Sequence, residues 1–117
     1  MTHNQTIGRW GEDQAAHHLS ARGDHILARN VRTPYGEIDL ITSRNGLTVF
    51  VEVKARTSGA FGNPEDAVTP RKQARLLAAC QHYAAQHAID HWQVDVIAIQ
   101  GKPGQSPRLL HLENVLT

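Results

Sequence analysis

The chain contains very little cysteine and no long apolar run, and both absences narrow the classes of protein to which it can belong. Cys80 is the only cysteine among the 117 residues, which excludes an internal disulfide and a structural zinc site with several cysteine ligands. No apolar run of about 18 residues occurs, and the opening segment MTHNQTIGRWGED contains no apolar signal-peptide region. We therefore expect a cytoplasmic protein without a membrane partner.

The chain also lacks a strong net charge and any sign of internal division. The formal net charge is +1, so composition neither requires nor excludes a polyanionic partner such as nucleic acid. A length of 117 residues allows one buried core but not two. Since there is no internal repeat and no low-complexity segment, we predict a single domain over residues 1–117.

Apolar periodicity predicts seven secondary-structure elements. They are a helix over 8–21, a strand over 26–31, strands over 37–42 and 47–55, a helix that Thr69 caps and Pro70 begins, and strands over 92–99 and 109–116. The second helix carries an apolar stripe, formed by Leu76, Leu77, Cys80, Tyr83 and Ala84. This order of elements indicates an α/β domain with a mixed sheet.

The two strands around Asn45-Gly46 form a predicted hairpin whose register follows from its turn. In a two-residue type I′ turn at Asn45-Gly46, residues whose numbers add to 91 face each other. Asp39 then lies opposite Glu52. The same register pairs Glu37 with Lys54 and Ile41 with Phe50, and it sends Ile38, Leu40, Val49, Val51 and Val53 to the other, apolar face.

Two carboxylates placed directly across a sheet are unusual unless a cation lies between them. Asp39 and Glu52 would repel each other by up to about 1 kcal/mol, and Ile41 and Phe50 on the same face indicate that this face is covered. Hard oxygen ligands of this kind suit Mg²⁺ or Mn²⁺. The alternative is that the acids belong to the solvated face of an antiparallel sheet.

Two further charged residues extend this candidate metal site. Glu12 lies within the apolar stripe of the first helix and should point inward, as a metal or metal-water ligand or as the partner of Arg9 or Arg29 in a buried ion pair. Lys54 projects from the same face as Glu52 and could stabilise charge that develops on a phosphate. Its alternative role is an ion pair with Glu37.

Four segments of the chain resemble a bacterial protein family. GRWGEDQAAHHL, GEIDLI, VFVEVKAR and AVTPRKQ occur in this order between Gly8 and Ile99, and together they are similar to the YraN family of endonuclease-like proteins. The spacing of Asp39 and Glu52-Val53-Lys54 also resembles that of the wider PD-(D/E)XK nuclease superfamily, which includes archaeal Holliday junction resolvases.

The resemblance implies a fold, an activity and a set of roles. The implied fold is restriction-endonuclease-like, with a mixed β-sheet flanked by helices. The implied activity is Mg²⁺- or Mn²⁺-dependent DNA endonuclease, on branched DNA such as Holliday junctions. Asp39 and Glu52 would be metal ligands, Lys54 the catalytic lysine and Glu12 the acid of the first helix. The alternative is a non-catalytic nucleic-acid-binding module that keeps the fold.

Basic residues near the second helix are candidates for contacts with the nucleic-acid backbone. Cations in the first turns of a helix oppose the helix dipole, which suggests an external anion unless they are ordinary solvated charge. We assign this role to Arg56, Arg71, Lys72, Gln73 and Arg75, and the glycine-rich segment 57–63 could follow the same backbone. Because symmetric cleavage of a four-way junction needs two sites, we also expect a homodimer.

Other reactive side chains are assigned no function from the sequence. The histidines of His17-His18 and His87…His91 are interpreted as surface residues, because no cysteine or metal-binding motif accompanies them. Cys80 lies in an apolar stripe and is interpreted as a core residue rather than a nucleophile.

Overall fold

The computed structural model of the protein describes residues 2–57 and 69–116. Its elements are α1 (His3–Ala21), β1 (His25–Thr33), β2 (Gly36–Arg44), β3 (Leu47–Arg56), α2 (Pro70–Gln86), β4 (Trp92–Gln100) and β5 (Arg108–Leu112). The order of elements predicted from the sequence is therefore confirmed. No helix in these two described ranges has both the length and the apolar character needed to cross a membrane.

The five strands form one mixed sheet in the order β1-β2-β3-β4-β5. Strands β3 and β4 are parallel and all other neighbours are antiparallel. The parallel pair is joined by the connection that contains α2, since parallel strands require a crossover. This α/β architecture is compatible with a restriction-endonuclease-like fold, and the predicted fold class is confirmed.

Alternate residues of the central strands build two apolar layers, one under each helix. Leu40, Val51 and Ile97 pack with Ala15 and Leu19 of α1. The second layer contains Ile38, Ile41, Phe50 and Val94 together with Leu76, Ala79, Cys80 and Ala84 of α2. The sheet is thus covered on both faces, and charged side chains of β2 and β3 can reach solvent only where this cover ends.

Two element boundaries differ from the sequence-based prediction by four residues or more. Helix α1 begins at His3 rather than Gly8, because Thr2 and Gln5 form a capping box in which each side chain accepts the other residue's backbone N–H. Strand β5 ends at Leu112 rather than Leu116. There the chain turns at Asn114, which has a φ of 56°, and the Asn114 N–H donates to Asp95 instead of to a neighbouring strand.

Candidate active site

The hairpin of β2 and β3 sets the position of the candidate site. Asn45 and Gly46 have φ angles of 52° and 82°, the positive values that a type I′ turn requires. The register pairs run from Arg44 with Leu47 to Leu40 with Val51. The predicted register is therefore confirmed over the length of this ladder.

Beyond Leu40 and Val51 the two strands separate. The first half of β2 pairs only with β1, whereas the second half of β3, from Glu52 to Arg56, pairs only with β4. The Val53 N–H donates to Oδ2 of Asp39 at 2.8 Å, which satisfies a backbone donor that has no partner in β2. We call this opening the fork.

The fork corrects three details of the sequence-based prediction. Asp39 is not a register partner of Glu52, and Glu37 is not a register partner of Lys54. The side chain of Ile38 lies under α2 with Ile41 and Phe50 rather than with Leu40, so its predicted face was wrong. All three differences have the same physical cause. Where the Asp39 carboxylate accepts a hydrogen bond from the backbone of β3, β2 and β3 no longer pair and the side chains of β2 no longer alternate between the two faces of the sheet.

An open cleft of about 610 Å³ lies at the fork and is called the acidic cleft here. Glu12, Asp39 and Glu52 all line it, together with Lys54, Arg56 and Lys72. Helix α1 contributes its amino-terminal half, which carries Glu12 inward as the sequence predicted. The structure therefore brings three acids and three cations from four elements to one surface.

The paired acids occupy an environment that disfavours two negative charges. Burial and the neighbouring Glu52 carboxylate raise the pKa of Asp39 to about 7, although the hydrogen bond from Val53 lowers it. Burial also raises the pKa of Glu52, against the lowering effect of Lys54 and Lys72. Repulsion between the two acids is therefore present at the fork although they are not register partners, and burial raises the pKa of Asp39 more than this repulsion does.

Glu12 adds a third carboxylate to this environment. Burial raises its pKa, while a hydrogen bond from the Asn30 side chain and the charge of Arg29 lower it. Arg29, one of the two arginines considered as ion-pair partners of Glu12, instead pairs with Asp13, the residue that follows Glu12 in α1. Asn30, which has a φ of 52° in the middle of β1, instead contacts Glu12.

Lys54 is held beside the carboxylate pair. Its Nζ lies 3.8 Å from Oε1 of Glu52. Lys54 therefore pairs with Glu52, and not with Glu37, which was the alternative partner predicted from the sequence. Lys72, from the first turn of α2, contacts Lys54, whose charge lowers the pKa of the Lys72 ammonium. Two adjacent ammonium groups repel each other, and an anion placed between them would relieve that repulsion.

A second, smaller opening of about 210 Å³ adjoins the acidic cleft and is called the side cleft here. It shares Glu52, Lys54 and Lys72 with the acidic cleft and adds Arg75 and Tyr35. Of the remaining predicted backbone contacts, Arg71 and Gln73 are exposed on the same turns of α2 but line neither cleft. Residues 58–68, which hold most of the glycine-rich segment, lie outside the described residues.

The structure also contains a cluster that the sequence-based reasoning missed. Asp95 is fully buried in β4, and its carboxylate accepts hydrogen bonds from Nε2 of His111 at 2.7 Å, from the Gln93 amide and from the Asn114 N–H. Burial opposes ionisation of Asp95, but these hydrogen bonds outweigh it and hold its pKa below the ordinary value. The available signal was one acid inside the otherwise apolar run of β4.

Asp95, His111 and Glu113 could bind a metal ion. Their ligand atoms all lie within 4.8 Å of one another. Arg22 already supplies positive charge there, with Nη1 at 3.3 Å from Nδ1 of His111 and Nη2 at 3.0 Å from Glu113. Helix α1 thus carries Glu12 toward the fork and Arg22 toward this second cluster.

His18 and Cys80 test two of the sequence-based interpretations. The His18 ring is partly buried and its Nε2 lies 3.1 Å from Nδ1 of His111, so its assignment as a surface residue was wrong. Cys80 is fully buried in the layer under α2, and burial raises the pKa of its thiol to about 12. Its interpretation as a core residue is confirmed.

Comparison with known proteins places the chain in a family. The model of the family described as "Uncharacterised protein family UPF0102" matches residues 11–99. A UPF0102 protein of Syntrophotalea carbinolica is 44% identical over 103 residues, covering 86% of this chain and 84% of the relative. A UPF0102 protein of Thermus thermophilus is 39% identical over 105 residues, covering 90% and 92%. The resemblance read from the four sequence segments is therefore confirmed, and the chain belongs to the uncharacterised protein family UPF0102.

Proposed function

We propose that this chain is a divalent-metal-dependent DNA endonuclease. It would hydrolyse phosphodiester bonds at the fork of the protein, the opening between β2 and β3. The observation that carries the proposal is the half-buried carboxylate pair of Asp39 and Glu52 beside Lys54, in which the pKa of Asp39 is raised to about 7. Strongly perturbed acids in a cleft are characteristic of functional sites. A structural ion pair alone would shift the Asp39 pKa in the opposite direction.

The donor set fits Mg²⁺ or Mn²⁺. Carboxylate oxygens are the ligands that these hard cations prefer, and a cation would remove the electrostatic cost of ionising Asp39 next to Glu52. Asp39 and Glu52 would hold it directly. Glu12, which lines the same cleft, would add a third carboxylate as a direct ligand or through a metal-bound water. Such a cation, when bound, activates water and neutralises charge on the phosphate.

The lysines supply the groups that bind and stabilise the phosphate. Lys54 lies next to Glu52 and would offset the negative charge that develops on the phosphate oxygens. Lys72 would hold a non-bridging oxygen of the same phosphate, since it contacts Lys54 across both clefts. Arg56 and Arg75 line the two ends of this surface and would position the neighbouring phosphates.

A non-catalytic DNA-binding module is the second candidate function. The cations of the two clefts support binding in either case, but the half-buried acids favour an enzyme, because carboxylates that face phosphates weaken a site whose only task is to bind them. The experiment incubates the full chain with single-stranded, duplex, forked and four-way-junction DNA in Mg²⁺, Mn²⁺ or EDTA. Metal-dependent cleavage that the Glu52→Gln variant lacks supports the enzyme. Tight binding with no cleavage by the wild-type chain in either metal would instead establish the binding module.

We further propose that the substrate is branched DNA and that the active form is a homodimer. Cations line both clefts, so the shape of the DNA would be recognised through phosphate contacts. Two equivalent sites would be needed for symmetric cleavage of a junction. Sedimentation velocity with and without junction DNA measures the oligomeric state, and a monomer under both conditions at tens of micromolar would refute the dimer.

A further inference from the structure

Tyr35 is an exposed aromatic residue at the edge of the proposed active site. Half of its surface is accessible to solvent, and it is the only aromatic among the exposed large apolar side chains of residues 2–57 and 69–116. It lines the side cleft together with Lys54, Lys72 and Arg75. An apolar ring surface therefore lies directly beside the cations that would hold a phosphate.

Two hydrogen bonds of the Thr33 side chain hold the turn that carries Tyr35. Tyr35 follows Pro34 at the tip of the hairpin between β1 and β2, where Thr33 pairs with Gly36. The Thr33 hydroxyl accepts a hydrogen bond from the Tyr35 N–H at 3.1 Å and donates to the Gly36 carbonyl at 2.7 Å. A ring presented on such a turn loses little conformational entropy when a ligand packs against it.

His82 of α2 contacts the Tyr35 ring in an edge arrangement, with ring centroids 5.9 Å apart and planes at 64°. Because half of Tyr35 stays accessible to solvent beside this contact, a planar ligand in the side cleft can reach the ring. The apolar residues Leu76 and Ala79 of α2 complete this wall of the side cleft.

We propose that Tyr35 stacks on an unpaired nucleobase next to the phosphate that is cleaved. This inference rests on the proposed function and names its substrate class. The substrate is DNA with at least one unpaired nucleotide at the cleavage point, as in a DNA flap or a replication fork. The side cleft, at about 210 Å³, is below the roughly 300 Å³ of drug-sized pockets and suits one small planar group. A base inside a duplex has both faces covered by its neighbours and cannot stack on the ring, whereas an unpaired base can.

The test measures DNA binding by the full chain in Ca²⁺ or EDTA, so that cleavage does not interfere. The probes are one oligonucleotide in single-stranded form, in duplex form and as a flap with 2-aminopurine at the junction. The variants are Tyr35→Ala and Tyr35→Phe, with Leu110→Ala as the matched control because Leu110 is similarly exposed but lies on β5.

Tyr35→Ala should weaken binding of the single strand and the flap by about 5- to 100-fold and change duplex affinity less than about two-fold. Tyr35→Phe and Leu110→Ala should behave like the wild type. The fluorescence of 2-aminopurine should be quenched by the wild type and by Tyr35→Phe, but not by Tyr35→Ala.

Equal affinity of Tyr35→Ala and wild type for the flap, or an equal loss for flap and duplex, would overturn the inference while leaving the proposed nuclease intact. A wild-type chain that binds and cleaves none of the DNAs would overturn both. Circular dichroism of each variant verifies that a loss of binding is not a loss of folding.

Discussion

Replacing Asp39 by Asn removes one negative charge from the fork at nearly constant shape. The oxygen of the Asn amide can still accept the hydrogen bond from the Val53 N–H that Asp39 accepts at 2.8 Å. The variant therefore isolates the electrostatic cost of the carboxylate pair. We expect it to be more stable than the wild type at pH 8 in EDTA.

The magnitude follows from the raised pKa. A pKa of about 7 against an ordinary value of 3.8 corresponds to at most about 4 kcal/mol, at roughly 1.4 kcal/mol for each pH unit. The real gain is smaller, because Glu52 shares the repulsion and the Asn amide also loses hydration. We expect about 1 to 2 kcal/mol of added unfolding free energy.

The pH dependence of this gain has a definite sign. The folded-state pKa of Asp39 is raised, so the wild type is most favoured below the unfolded value near 3.8 and loses stability as the pH rises through about 7. The advantage of Asp39→Asn should therefore be largest at pH 8, smaller at pH 5 and absent near pH 4.

Adding metal should remove most of the advantage of Asp39→Asn over the wild type. If Mg²⁺ binds only the folded state with a Kd near 1 mM, 10 mM Mg²⁺ stabilises the wild type by about 1.4 kcal/mol. The Asp39→Asn variant should lose most of that increment, because one of the side chains that would bind the metal directly no longer carries a charge.

Urea titrations at constant ionic strength, in EDTA and in Mg²⁺, measure all of these quantities. The matched control is Asp13→Asn, an exposed acid paired with Arg29, which should change stability by less than about 0.5 kcal/mol and keep the Mg²⁺ increment. A destabilised Asp39→Asn variant in EDTA, together with a wild type that gains nothing from Mg²⁺, would refute the reasoning.

Three further predictions concern other parts of the chain. Gly11→Ala should destabilise the fold by about 1 to 3 kcal/mol in urea, because its Cβ would lie 2.5 Å from the Cβ of Ala55; an unchanged midpoint would show that α1 shifts freely. Asp95→Asn should cost about 2 to 4 kcal/mol at pH 7 and less once the pH falls below the ordinary value of 3.8, since the pKa of Asp95 is lowered in the folded state; thermal unfolding at pH 3 and 7 measures the difference, and equal losses would contradict it. Lys54→Ala should abolish DNA cleavage while calorimetry finds Mn²⁺ affinity within a few-fold of wild type; unchanged cleavage would assign Lys54 only to its ion pair with Glu52.

Local signals in the sequence were sufficient for most of the fold. The Asn45-Gly46 turn determined the register of β2 and β3, and Thr69 and Pro70 marked the start of α2, as the structure confirms. Helix α1 was placed too short because residues 3–6 are polar, although the Thr2-x-x-Gln5 capping box was present in the sequence.

The fork could not be derived from the register. Period-2 alternation predicts that a ladder continues as long as the pattern does, so Asp39 was expected opposite Glu52. The separation of two strands depends on tertiary contacts. Here the Asp39 carboxylate takes the place of a backbone acceptor, and α1 lies over the opening. The residues of the candidate site were identifiable, but their arrangement was not.

The Asp95 cluster was missed for a related reason. Its members lie far apart in the chain, on α1, β4 and the segment around β5, and they carry no spacing that a metal or catalytic motif would have. Only the burial of Asp95 at 0% exposure makes a network of ion pairs and hydrogen bonds around it necessary. Burial of a single acid in a mixed sheet is a property of the assembled fold.

The central claim is that the carboxylates of the fork, rather than those of the Asp95 cluster, support metal-dependent cleavage of DNA. The most direct measurement is the single-turnover cleavage rate of an end-labelled DNA flap in Mn²⁺, determined for the wild type, Glu52→Gln and Glu113→Gln. We predict Mn²⁺-dependent cleavage by the wild type, a loss of at least about 100-fold in Glu52→Gln and a rate within about three-fold of wild type in Glu113→Gln. Cleavage by Glu52→Gln at the wild-type rate, or no Mn²⁺-dependent cleavage by the wild type, would contradict the claim.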